Sequence, residues 1–201
     1  MKDNMLGVML DCSRGAVMTV DTVKNYADIL AKMGYNTLML YTEETYEIPS
    51  EPFFGYMRGR YTADELREID AYCESIGIEL VPCIQTLAHL EQMFRWTDAY
   101  NNIRDCDNIL LADEPKTYEL IEKMFKTCRE CFKTDTIHIG MDEAMNVGLG
   151  KYLQKHGYHD RFDIINKHLH RVCDIAKKYG FNPMIWSDMF CKLAGADEDI
   201  N

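Results

Sequence analysis

The sequence has no apolar run long enough to cross a bilayer and no excess of positive charge. A spanning helix needs about 20 predominantly apolar residues, which nothing here supplies. The formal net charge of −11 works against a nucleic-acid or anionic-membrane partner, because both are held by basic patches. No secretory leader is recognisable: Met1-Lys2-Asp3-Asn4 leads straight into a short apolar segment. Low-complexity tracts, internal repeats and an interdomain linker are also missing, so residues 1–201 read as one domain. Most of the eight cysteines sit in apolar patterns, as at Cys73, Cys83 and Cys173, and read as reduced core thiols of a cytoplasmic protein. Cys128 and Cys131 have the spacing of half a zinc site, but no second pair answers them, and His156 and His159, at ligand-like spacing, read as solvated. No metal and no cofactor are expected.

What is present is alternation. Short apolar segments read as strands at residues 6–11, 37–41, 78–84, 136–140 and 183–188. Amphipathic helices fall between them. One is capped by Asp21 and stopped by Gly34; one runs over 62–76 with Thr62 and Glu65 as a capping box; one opens at Pro115; one covers 161–179. Residues 90–100 read as helical, and Gly148 and Gly150 mark a mobile loop. Strand and helix alternate five times, and the strands are apolar on both faces. That pattern predicts an α/β fold, with a parallel sheet or barrel and helices outside.

The stretch Thr136-Ile137-His138-Ile139-Gly140-Met141-Asp142-Glu143 ends a buried strand in two adjacent carboxylates. Packing does not call for them, although a solvated acidic loop would also contain such a pair. In a strand, successive side chains face opposite ways, so both acids reach one site only if the strand ends there and the backbone turns. Parity strengthens the case for chemistry. With one face of every strand pointing into a barrel, the inward set at the strand tips is Asp11, Tyr41, Gln85, Asp142, Trp186 and Asp188, while the outward set is Leu10, Leu40, Ile84, Ile139 and Ile185. Polar and aromatic residues gathered on one side of the tips mark where barrels of this kind hold their sites.

The run His138-Ile-Gly-Met-Asp142-Glu143 resembles the catalytic signature of family 20 glycoside hydrolases, the β-N-acetylhexosaminidases, and Leu10-Asp11-Cys-Ser-Arg14 resembles their first-strand motif. Glu43, in place of the more usual aspartate, falls at the acidic second-strand tip; Ala88-His89 falls where the family has Gly-His; Ile185-Trp186 resembles the tryptophan that lines the acetamido pocket. The resemblance implies a (β/α)8 barrel that removes terminal N-acetylhexosamine from an oligosaccharide or glycoconjugate. It implies catalysis by the substrate's own acetamido oxygen, with Glu143 as general acid and base and Asp142 as the anion that orients the acetamide. It also implies Arg14 on the sugar hydroxyls, with Asp11 and Tyr41 beside it, and His89 paired with Glu43. Two other readings stay open: a metal-dependent sugar isomerase using Asp142, Glu143 and His89 as ligands, and a non-catalytic carbohydrate-binding partial barrel. A closed barrel needs eight strands and about five are readable, so an N-terminal part of a barrel, inactive alone and self-associating through its open edges, is expected.

Overall fold

In the computed structural model, residues 4–193 are described, and they form a five-stranded, all-parallel sheet. The order along the chain is β1 (Gly7–Asp11), α1 (Val20–Lys32), β2 (Thr37–Glu43), α2 (Ala63–Ser75), β3 (Glu79–Ile84), α3 (Thr97–Tyr100), α4 (Pro115–Cys131), β4 (Thr136–His138), α5 (Lys151–His156), α6 (Arg161–Lys178), β5 (Asn182–Met184) and α7 (Asp188–Leu193). Strand neighbours follow the sequence, β1-β2-β3-β4-β5, and every pair is parallel. A doubly wound sheet would reverse its order at a switch point. An order that never reverses, with helices between successive strands, is instead the wall of a (β/α)8 barrel.

The helices form where local chemistry favours them. Thr62 accepts the Glu65 backbone N–H while the Glu65 carboxylate accepts that of Thr62, completing the expected capping box. The first helix differs from expectation: Thr19, not Asp21, is its cap, and Asp21 lies in the first turn, where a carboxylate favours the helix dipole. Leu40, Pro82 and Ile84 of the sheet's outer face pack with Leu66 of α2 and Cys128 of α4. The inner face carries Met9, Tyr41 and Cys83, with Met9 and Cys83 sulfurs 3.9 Å apart. Strand parity thus sets the inward face of β1, β2 and β3 as the sequence predicts.

Three further expectations are corrected. Residues 90–100 do not form one helix but a 3-10 turn, Met93–Arg95, followed by the single turn of α3. β4 ends at His138 and β5 at Met184, each short of the expected boundary, because the backbone leaves the sheet at the site. The segment marked by Gly148 and Gly150 is pinned. Buried Asp105 accepts the Gly148 N–H at 2.7 Å and the Tyr152 N–H at 2.8 Å, and a Cβ on Gly150 would lie 2.2 Å from the Asp105 carbonyl oxygen.

His168 of α6 is polar by type, yet it is buried, with Nε2 2.8 Å from the Thr86 carbonyl oxygen and Nδ1 2.9 Å from the Tyr118 hydroxyl. A carbonyl only accepts, so Nε2 carries the proton and Nδ1 accepts from Tyr118. Burial pushes the His168 pKa down to about 4 and keeps the ring neutral. Thr86 in turn donates its N–H and hydroxyl to the Ile139 carbonyl, so α6 braces the segment after β3 against β4. Replacing His168 by leucine removes both ring contacts. At roughly 1–3 kcal/mol for each buried group left unpaired, the expected loss is about 2–5 kcal/mol of unfolding free energy. Denaturant titration checks this, and a loss well under 1 kcal/mol would mean that the brace carries no load in solution.

Candidate active site

β4 stops because its backbone turns. Gly140, Met141 and Glu143 have φ of +70°, +71° and +53°. The left-handed region costs a non-glycine residue on the order of 1 kcal/mol or more, and such strain persists only where the surroundings over-determine it. The Gly140 position also excludes a side chain, because a Cβ there would lie 2.1 Å from Gln85 Oε1. That oxygen accepts the Met141 N–H at 3.1 Å, and Gln85 Nε2 donates to Asp142 Oδ1 at 2.8 Å. The turn is thus templated by the tip of β3. Asp188, at the start of α7, accepts the Glu143 N–H at 3.3 Å.

The result is the convergence that a continuing strand forbids. Asp142 Oδ2 lies 3.1 Å from His89 Nε2, and Glu143 Oε2 lies 3.5 Å from the same nitrogen. Although close, Nε2 makes no directed hydrogen bond among the described residues, so the contact is ionic and depends on distance rather than angle. Burial works to raise the Asp142 pKa, but the His89 and Gln85 contacts outweigh it and hold the carboxyl below its ordinary range. The Asp142 contact holds the His89 imidazole above its ordinary pKa, against partial burial. Asp142 is mostly enclosed, whereas the Glu143 side chain is 70% exposed. One acid is a fixed anion and its neighbour is open to an incoming molecule.

The other site candidates gather around this pair, with one rearrangement. Asp11 Oδ1 accepts the N–H groups of Ser13 and Arg14, both at 2.9 Å, shaping the turn after β1. Arg14 then lies with Nη1 3.4 Å from Asp11 Oδ2 and Nη2 3.4 Å from the Tyr41 hydroxyl. Tyr41 donates to Glu43 Oε1 at 2.9 Å and accepts from Gln85 Nε2 at 3.1 Å; burial, with Glu43 next, raises its pKa and keeps it protonated. Glu43 also accepts from Ser13 Oγ at 2.5 Å. The expected direct His89–Glu43 pair is not formed: His89 contacts Asp142 and Glu143, and Glu43 acts on it only through its charge. Trp186, 40% exposed, packs on the His138 ring at 4.7 Å and lines a cavity of about 200 Å³ with Asp11, Arg14, Tyr41 and Asp142.

Gln85, His138, Ser13 and Arg58 also border the site, although the motifs assign them no role. Gln85 had a signal, since parity placed it inward. His138 had one too, sharing its strand face with Asp142. Burial lowers its pKa to about 4, and its Nδ1 accepts the Gly140 N–H. Arg58 had none: it reaches buried Glu44 at 2.8 Å and the Ser13 carbonyl at 2.5 Å from a loop 45 residues away from Ser13.

The His89–Asp142 contact has a pH signature. The raised His89 pKa stabilises the fold fully below about pH 6.5 and loses that effect as pH rises through the folded-state value. The lowered Asp142 pKa contributes above about pH 3.9 and fades as pH falls through its folded value. The melting-temperature deficit of a His89→Leu variant should therefore be larger near pH 5.5 than near pH 8.5, by roughly 2–4 °C. A deficit independent of pH would show that Asp142 does not hold a charged imidazole.

The family model for "Glycosyl hydrolase family 20, catalytic domain" matches residues 6–200. A β-hexosaminidase of Akkermansia muciniphila is 24% identical over 167 residues, covering 69% of this chain and 34% of that protein. Hexosaminidase D of Homo sapiens is 23% identical over 192 residues, covering 90% of this chain and 39% of that one. Among solved structures, the chitobiase of Flavobacterium johnsoniae superposes with a TM-score of 0.76 at 26% identity, covering 90% of this chain and 31% of its own. The chain thus spans about a third of the length of these relatives.

Proposed function

Since this chain belongs to glycosyl hydrolase family 20, we propose that the protein carrying it releases terminal β-linked N-acetylhexosamine with retention of configuration, through substrate-assisted catalysis. Glu143 donates its proton to the leaving oxygen as the bond to the anomeric carbon breaks. The acetamido oxygen of the same sugar attacks that carbon, giving a bicyclic oxazolinium ion. Asp142 accepts the acetamide N–H and offsets the positive charge that develops. Water then adds to the anomeric carbon, Glu143 takes its proton, and the acetamide is restored. Trp186 offers an apolar wall to the acetamide methyl, and Arg14 presents its guanidinium fork to sugar hydroxyls.

The observation that carries this reading is the divergent setting of two adjacent acids around one imidazole. Asp142 is enclosed and held as an anion, while Glu143 is exposed at the same nitrogen. The scheme needs those two roles, and an enzyme nucleophile is not among them. Membership in a hydrolase family favours hydrolysis over the metal-dependent isomerase reading. A cytoplasmic setting is part of the proposal, supported by seven free thiols among the described residues.

The test is turnover by the whole protein of p-nitrophenyl N-acetyl-β-glucosaminide beside the matching glucoside. The glucoside lacks the internal nucleophile, so its cleavage should fall to background. Comparable rates on both would end the substrate-assisted reading, and binding without turnover of either would favour a carbohydrate-binding module.

A further inference from the structure

Gln85 follows the last residue of β3, fully buried, and its carboxamide has no freedom left. The Met141 N–H lies 3.1 Å from Oε1 and can only donate, which fixes that atom as the oxygen. Nε2 therefore carries both hydrogens. One goes to Asp142 Oδ1 at 2.8 Å and the other to the Tyr41 hydroxyl oxygen at 3.1 Å. We propose that Gln85 is a positioning residue for the reaction: it aims the Asp142 carboxylate at the acetamide while leaving the charge of that carboxylate uncancelled. The assignment rests on the reaction proposed above.

Three observations carry it. First, the donor is neutral. Asp142 meets His89 at Oδ2 and Gln85 at Oδ1. A lysine or arginine at position 85 would hold Oδ1 as firmly, but its full positive charge would offset the field that stabilises a developing cation. A carboxamide orients without that charge and does not titrate. Second, the donor is itself held. The one hydroxyl hydrogen of Tyr41 goes to Glu43 Oε1 at 2.9 Å, so the lone pairs of that oxygen face Gln85 and Arg14 Nη2, the latter at 3.4 Å. The amide cannot rotate away from Asp142 without breaking its bond to Tyr41, on the side of the sugar-binding arginine. Third, the backbone is cut to fit the amide. A Cβ at Gly140 would lie 2.1 Å from Gln85 Oε1, and the turn through Gly140 and Met141 is left-handed at both residues. Arg14, Tyr41, Cys83, His89 and His138 also feel the Asp142 charge, so the test exchanges position 85 alone.

The test measures kcat and KM of the whole protein on p-nitrophenyl N-acetyl-β-glucosaminide across pH, for the wild type, Gln85→Glu and Gln85→Met. Glutamate keeps the shape and the acceptor for the Met141 N–H, but it sets a second carboxyl against Asp142, and two carboxyls so close share one proton. Near neutral pH, kcat should fall by about 10²-fold with KM nearly unchanged, and the acid limb of kcat/KM should move up by about one pH unit or more. Methionine keeps the volume and donates nothing. Its kcat should fall at least about tenfold, and it decides the matter if the glutamate variant misfolds. A role in folding alone predicts a lower melting temperature with kcat and the acid limb unmoved, and that result would overturn the proposal. If the wild type cleaves no N-acetylglucosaminide, the reaction is at fault, and stability then judges the contact. The introduced carboxyl should have a folded pKa above its unfolded value of about 4.3, so the melting-temperature deficit of Gln85→Glu should be larger near pH 8 than near pH 5. That growth would keep Gln85 as the group that orients Asp142, and an equal deficit at both would overturn it.

Discussion

Glu143→Gln should lower kcat on a natural disaccharide by about 10²–10⁴-fold while leaving the fold intact, the range that one general acid contributes. The amide keeps the shape and cannot supply the proton. Stability should hardly change, because the Glu143 side chain is 70% exposed and its backbone N–H, not its carboxylate, makes the contact to Asp188. The loss should depend on the leaving group. A 2,4-dinitrophenolate departs almost without protonation, so the first step with that aglycone should be hurt far less than with a sugar. Steady-state rates on a series of aryl glycosides of graded acidity check this. Near-normal turnover of the disaccharide by Glu143→Gln would remove Glu143 from the mechanism.

Asp142→Asn should cost about 10²–10³-fold in kcat, comparable to removing one preorganised electrostatic group. Asp142 is poised as an anion by Gln85 and His89, with only 18% of its side chain exposed. Asparagine can still accept from Gln85 through its carbonyl oxygen, so the turn templated by β3 should survive. What disappears is the charge opposite the developing cation. A thiazoline analogue of N-acetylglucosamine, which mimics the bicyclic intermediate, should therefore inhibit the wild-type protein strongly and the variant weakly. Such mimics bind about 10² to 10⁸-fold more tightly than substrate when the site is built for the transition state. An unchanged inhibition constant in Asp142→Asn, or a sugar trapped covalently on either acid, would contradict the substrate-assisted route.

Much of the fold could be read from the chain because its causes are local. The Thr62–Glu65 capping box acts over three residues, and the apolar stripe of α4 repeats each turn. Strand parity acts over two residues, so the inward placement of Asp11 and Tyr41, which lie within β1 and β2, followed once the strands were recognised. The errors have local causes too. Residues 90–100 look helical by composition, but Leu90 donates its N–H to the Asn108 carbonyl and Leu110 donates to that of Leu87, so tertiary pairing breaks the segment into short turns. His168 looks polar by type, but a neutral imidazole with both nitrogens satisfied is at home in a core.

By itself the sequence determined the order of strands and helices, the face each strand turns inward, and the juxtaposition of two acids at a strand tip, all set by interactions between near neighbours. Tertiary structure alone decided how those acids are used. The left-handed turn through Gly140, Met141 and Glu143 exists because Gln85, 56 residues before Met141, accepts its N–H and holds Asp142. The same long-range packing turned His89 toward Asp142 and Glu143 and left Glu43 with Ser13 and Tyr41. Backbone strain of this kind is unfavourable in any short segment and persists only where contacts from distant parts of the chain outweigh it, which no local pattern records.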